Sequence, residues 1–232
     1  MDLTKLTRQS HRHDRPGLPL LGRFRLAGAR AHEFCGPARR RLALWLAAET
    51  AGTVLWIRPA WHPDRLHMAG VRGEIDPARL ITVEPDRPED ILWTMEEALR
   101  AGLLPLVVAE LPEPPGLTPV RRLHLAAETG VEARGTSPLA LLLTPGEGGA
   151  AGVETRWSLT PAHGADDTRW TLARLRGRDA PPGEWGVTRG ADGRPRLVAE
   201  QPPPYRQSGR LPPMRKPTNS RCPSGKSDPF TK

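Results

Sequence analysis

Cysteine is scarce in this chain. Cys35 and Cys222 are the only two, far apart and in unlike surroundings. That argues against a disulfide framework or a cysteine zinc site, and it suits a reducing cytoplasm. Aromatic residues are few, and no apolar run approaches the roughly 20 residues that cross a bilayer. The N-terminus has no compact apolar core followed by a small-residue cleavage site, so it is not read as a signal peptide. Hydrophobic residues make up 38%, which is low for a chain packed throughout. Proline (27) and glycine (23) are instead abundant, which places part of the chain outside any core.

Positive charge is plentiful, and it sits at the ends. Residues 1–32 hold seven Lys or Arg against Asp2 and Asp14, and residues 201–232 hold seven against Asp228. The formal net charge is +8, so the stretch between is mildly acidic. Basic ends of this kind suit weak contacts with nucleic acid or acidic proteins.

Three parts follow. Residues 1–30 read as a loosely ordered basic arm, 31–200 as a folded α/β domain, and 201–232 as a disordered Pro/Arg/Lys-rich tail. In the middle part, HEFC, TVLWI, LPLVVAEL and PLALLLTP are short apolar runs bounded by turn residues, so they read as buried strands, and RLITVEP reads as a further strand. Between them lie helical stretches. ARRRLALWLAAETA stops at Gly52, and RPEDILWTMEEALRAG has an acidic first turn. LTPVRRLHLAAETG is expected to open with Thr118 as N-cap and close at Gly130. This alternation predicts a mostly parallel sheet covered by helices on both faces. After residue 150, ETRWSLTPA, TRWTLARLRGR, EWGVTRG and PRLVAEQ alternate more strictly and read as antiparallel strands that extend or flank the sheet.

Candidate chemistry is thin. His62, His67, His124 and His163 lack metal-ligand spacing, and no metal or cofactor is expected. Cys35 has no local base and reads as a small core residue. Glu96 and Glu97 read as a solvated helix face. Trp45, Trp56 and Trp93 are expected on buried faces, while Trp61, flanked by Pro59 and Pro63, is a candidate partner contact.

The most pointed stretch is EFCGPARRRLALWLA, residues 33–47. It has the strand, Gly-Pro turn and helix that frame a phosphate-binding loop. A working loop reads G-x-x-x-x-G-K-[ST], with glycine amides and a lysine on the phosphates and a hydroxyl on Mg²⁺. Here Gly36 and Pro37 are followed by Arg39, Arg40 and Arg41, with no second glycine, lysine or hydroxyl.

The order of these elements resembles the RecA fold. The wording GPARR, LWIRPAW, RPEDILWTMEEALRAG, LPLVVAELPEPPGLTPVRRLHLAAE and TSPLALLLTPGEGG, followed by ETRWSLTPA, resembles more narrowly the ImuA family, the RecA-like or SulA-like proteins of bacterial SOS mutagenesis operons. The resemblance implies a RecA-like core from roughly residue 20 to 200. It also implies a cytoplasmic accessory role in error-prone translesion DNA synthesis. An ImuB-like Y-family polymerase homologue, an error-prone replicative-type polymerase and RecA are the implied partners. Three catalytic parts are missing against that pattern. The loop lacks its lysine and hydroxyl. Ala109 stands where a Walker B carboxylate belongs, with Glu110 one residue on and so on the other face of the strand. RPAWHP, at the place of the catalytic glutamate, has no carboxylate before Asp64. The expectation is a non-enzyme that touches DNA weakly, through Arg206, Arg210, Arg215, Lys216, Arg221, Lys226 and Lys232. A degenerate DNA-stimulated ATPase and a SulA-like cell-division inhibitor are the two other readings.

Overall fold

Alternate residues of the strand Val54–Ile57 explain the layering. Val54 and Trp56 join one apolar cluster, and Leu55 and Ile57 join another. A strand buried on both faces must have helices above and below it. The computed structural model describes residues 16–164 and 167–198. Within them β1 (Gly17–Leu20), β2 (Phe24–Ala27), β3 (Ala31–Cys35), α1 (Arg39–Ala48), β4 (Val54–Ile57) and α2 (Met68–Arg72) come first. Then follow β5 (Leu80–Val83), α3 (Pro88–Ala101), β6 (Leu106–Glu110), α4 (Leu117–Arg134) and β7 (Leu139–Leu143). The last strands are β8 (Thr155–Pro161), β9 (Arg169–Gly177), β10 (Gly183–Arg189) and β11 (Pro195–Leu197).

The main sheet runs β11-β10-β9-β8-β3-β7-β6-β4-β5. From β8 to β5 the neighbours are parallel, and β9, β10 and β11 add on antiparallel. The α/β class, the mostly parallel sheet flanked by helices and the C-terminal antiparallel strands are therefore as the sequence led one to expect. Leu42, Trp45 and Leu46 of α1 and Val71 of α2 pack on one face. Ile91, Met95 and Leu99 of α3 and Val120, Leu123 and Ala127 of α4 pack on the other.

Five local expectations need correction. Residues 17–27, assigned to a loose arm, form the β1–β2 hairpin, and its Leu20 and Leu26 are fully buried in the α1-side cluster. Only residues 1–15 of that arm lie outside the described residues, as does the tail from 199 onward. Thr118 is not an N-cap, because α4 starts at Leu117 behind Gly116. Gly130 does not end α4, which continues to Arg134 and stops at Gly135 with φ +71°. A Cβ on Gly130 would sit 2.2 Å from the Leu99 carbonyl oxygen, and one on Gly102 would sit 2.4 Å from that of Gly130. The glycine thus serves the crossing of α3 and α4 rather than a stop signal. Finally, Trp93 is 58% exposed. Ile91, Met95 and Leu99 fix the inner face of α3, and Trp93 falls away from it.

Glu96 departs from its expected place as well. It is buried and paired with Arg100 of its own helix at 2.6 Å and with Arg122 of α4 at 2.8 Å.

Candidate functional site

Open α/β sheets bind ligands beyond the carboxyl ends of their strands. In this chain that crest is formed by the ends of β3, β4, β6 and β7, with the Gly36–Ala38 turn at one side. The turn bends at a glycine. Gly36 has φ +83°, and a Cβ there would lie 2.6 Å from Ser158 Oγ and 2.9 Å from the Leu159 carbonyl oxygen. Only glycine fits that left-handed position against β8.

The turn's amides, however, are already used. Gly36 N–H donates to the Gly146 carbonyl at 2.9 Å, Ala38 N–H to Leu159 at 3.0 Å and Arg39 N–H to Gly36 at 3.3 Å. Pro37 has no N–H to offer. A phosphate cradle needs these donors turned toward the ligand. Here they tie the turn to β8 and to the loop after β7.

The three arginines are turned toward the protein too. Arg39 Nη1 donates to the Gly36 carbonyl at 3.3 Å. Arg41 pairs at 2.8 Å with Glu74, which also accepts from Arg189. Arg40 reaches Glu110, with Nη2 2.6 Å from Oε2 and Nε 3.1 Å from both oxygens. Trp56 Nε1 donates to the same carboxylate at 2.8 Å. Ala109 belongs to the α3–α4 cluster, whereas Glu110 faces the α1 side, so the two residues do point to opposite faces. The structure thus joins the loop arginine and the β6 glutamate into one partly buried ion pair across the crest.

The RPAWHP segment is also held by an arginine. Arg58 is almost fully buried, pairs with Glu84 at 2.7 Å and donates to the His62 carbonyl. Arg65 adds a second contact to Glu84 at 2.7 Å. The Arg58 hydrogen bond, above all, lowers the Glu84 pKa. Backbone bonds from Arg58 to Val83 and from Ala60 to Pro85 fix the same turn. Trp61 projects from it and is 47% exposed, on a scaffold that does not have to order itself on binding.

Sequence reasoning passed over two β3 residues, His32 and Glu33, both with no exposed surface. Glu33 accepts from Thr144 Oγ1 at 2.6 Å, Gly149 N–H at 2.8 Å, Ala150 N–H at 3.1 Å and Arg156 Nε at 2.5 Å. It thereby fixes the GEGG loop whose Gly146 carbonyl receives the Gly36 amide. His32 Nε2 lies 3.0 Å from the Ala27 carbonyl, and Nδ1 lies 2.8 Å from Thr155 Oγ1, which accepts from Trp157 Nε1. A carbonyl only accepts, so Nε2 carries the proton of the neutral ring. The available signal was two ionisable residues inside a short buried strand, which require partners. Cys35, the next inward residue, is buried as expected. Burial chiefly, with the Glu33 charge, pushes its thiol up to about 11, far from a nucleophile.

Burial holds the His32 pKa down at about 4, with smaller contributions from His124 and Arg30. The unfolded chain therefore binds a proton near pH 6.5 that the folded chain refuses until pH 4. The stabilisation is full above pH 6.5 and is lost as the pH falls toward 4. Between pH 7 and 4.5 this one residue should remove about 2–3 kcal/mol of stability. Urea unfolding at the two pH values checks this. The His32→Asn variant should show a correspondingly shallower pH dependence, and an equal dependence would refute the assignment.

Among the described residues, no three His, Cys, Asp or Glu side chains gather as a metal site, and no helix is long and apolar enough to cross a membrane. No protein-family model matches the chain, and no curated protein matches it.

Proposed function

We propose that this chain is a non-catalytic, RecA-like adaptor of the ImuA type, acting in SOS-induced translesion DNA synthesis through protein contacts. The ImuA wording of the sequence supplies the biological setting. The succession β3-turn-α1, β4, β5-α3-β6 and α4-β7 accords with the RecA-like order. The observation that carries the non-catalytic part is the turn at Gly36–Ala38. Its amides are committed to backbone carbonyls, and its Arg40 is committed to Glu110. A site whose donors and charges already satisfy one another gains little by taking up a nucleotide. The same closed crest gives a rigid surface from which Trp61 projects. The proposed partners are an ImuB-like Y-family polymerase homologue, an error-prone replicative-type polymerase, and RecA. The basic residues expected to touch DNA, Arg206, Arg210, Arg215, Lys216, Arg221, Lys226 and Lys232, lie outside the described residues.

The test is direct binding to the purified ImuB-like homologue, with the cell-division GTPase in parallel. A complex with the polymerase homologue alone is expected. Trp61→Ala should weaken it about 30-fold, the loss typical of a hot-spot aromatic, with an unchanged thermal midpoint. No complex at micromolar concentrations, or a complex with the division GTPase instead, would contradict the proposal.

A further inference from the structure

Charge is divided unevenly over the described fold. Residues 31–150 carry 12 arginines against 16 acidic residues. The hairpin segment 16–30 and the segment 151–198 together carry 11 arginines against six. The folded domain therefore has a basic wing built from β1–β2 and β8–β11.

Arg174 of β9 is the focus of the wing. Its guanidinium carbon lies 5.8 Å from the ring centroid of Phe24, 5.4 Å from that of Trp157 and 5.3 Å from that of Trp185. Nε donates to the Pro181 carbonyl at 2.8 Å. Arg23 lies over Phe24 and Trp185 at 5.8 and 5.9 Å, so two guanidinium groups share one aromatic platform. Burial, and then the charge of Arg23, lower the Arg174 pKa. Rings hold the planar fork in place, so little side-chain entropy remains to be lost when an anion binds.

Two cavities meet at Arg23. One, of about 270 Å³, includes Arg25 and Arg174 in its walls, and the other, of about 860 Å³, includes Arg194. Other arginines of these walls are occupied: Arg178 by Glu154, Arg189 by Glu74, Arg196 by Asp192, and Arg79 by carbonyls at the end of α1. Arg25, Arg174 and Arg194 have no carboxylate partner among the described residues. Asp179 and Glu49 are the wall carboxylates outside those ion pairs.

We propose that this face of the wing is a track for a nucleic-acid backbone, with Arg25, Arg174 and Arg194 meeting phosphates on either side of Arg23. The inference rests on the DNA-contacting part of the reading above and adds a folded contact surface to the basic ends. The rings are already covered by guanidinium groups, so bases cannot stack on them. The contact is therefore to phosphates and independent of sequence.

The test is fluorescence anisotropy of the full-length protein with a labelled single-stranded oligonucleotide across a salt series. Each arginine that meets a phosphate contributes about 0.7 to the salt slope, which is roughly fivefold in affinity at about 0.1 M salt. Arg25→Gln with Arg194→Gln should therefore weaken binding roughly 25-fold and flatten the slope by about 1.4. Neither side chain has a hydrogen-bond or ion-pair partner among the described residues, so the thermal midpoint should not change. Adding Arg174→Gln should weaken binding further, whereas Arg174→Lys, which keeps the charge, should retain most of it. Wild-type affinity and slope in the double variant would overturn the track while leaving DNA contact by the basic ends intact. Absence of binding by wild-type protein at low salt would overturn both. Tighter binding of an acidic peptide than of DNA, lost in the same variants, would also overturn the track.

Discussion

Replacing Glu33 by alanine should cost about 4 kcal/mol of unfolding free energy, as expected for breaking a buried, charge-assisted network. The carboxylate is fully buried and receives a hydroxyl, two backbone amides and a guanidinium. Alanine would leave the Gly149 and Ala150 amides without their acceptor and Arg156 without its counter-charge. Gly148 sits at φ +76°, and a Cβ there would lie 2.6 Å from Glu33 Oε1. Glu33→Gln keeps one acceptor oxygen but sets an NH₂ group among donors, so about half the loss should remain. Denaturant unfolding gives the magnitude. Hydrogen exchange gives the location: the Gly36 amide, held by the Gly146 carbonyl of the same loop, should exchange faster in Glu33→Ala. A cost below about 1 kcal/mol, as for an exposed pair, would show that the loop is held by something else.

The Arg40–Glu110 pair should behave asymmetrically. Arg40→Ala should destabilise by about 3 kcal/mol, because Glu110 would be left buried with only the Trp56 N–H. The double variant Arg40→Met with Glu110→Gln should recover most of that. Methionine keeps the stem packed, glutamine still accepts from Trp56, and no charge is stranded. The comparison separates a pair that matters through its charge from one that matters through its bulk. If the double variant were as unstable as Arg40→Ala, packing of the arginine stem would be the cause. If Arg40→Ala were neutral, the ion pair would not be closing the crest.

The strands β3, β4, β6 and β7 were legible because each is a short apolar run bounded by turn residues, a pattern that burial on both faces imposes directly, while β5 is the half-exposed edge strand of the sheet. The β1–β2 hairpin was hidden because GLPLLGRFRLAGA mixes proline, glycine and arginine with its leucines. Leu20 and Leu26 find their core only in tertiary contact with α1 and β8–β10. Gly130 misled for a related reason. A glycine late in a helix usually marks its end, and only the approach of α3 shows that this one is an interior contact. Trp93 was placed inside on its residue type although the 91-95-99 spacing turns it outward.

From the sequence the Gly36-Pro37 turn is defined by what does not follow it, a second glycine, a lysine or a hydroxyl. What takes their place was not legible, because pairing Arg40 with Glu110 spans 70 positions and depends on the adjacency of α1, β4 and β6. His32 and Glu33 were missed because a polar residue in an apolar strand announces that it needs partners without saying which. Trp61 was readable from its flanking prolines, while the arginine that braces its turn, Arg58, was not singled out.

The crest is closed by the turn's own hydrogen bonds and by the Arg40–Glu110 ion pair, and on the function proposed above it has no use for nucleotide. Equilibrium titration with Mg·ATP tests this most directly, with wild-type protein and the Arg40→Ala variant measured side by side. The expected result is no saturable binding at millimolar nucleotide by either protein, and no phosphate release, because the turn's amides stay committed even when the arginine is gone. Saturable binding by wild-type protein, or ATP turnover that disappears in Arg40→Ala, would show an open nucleotide site instead.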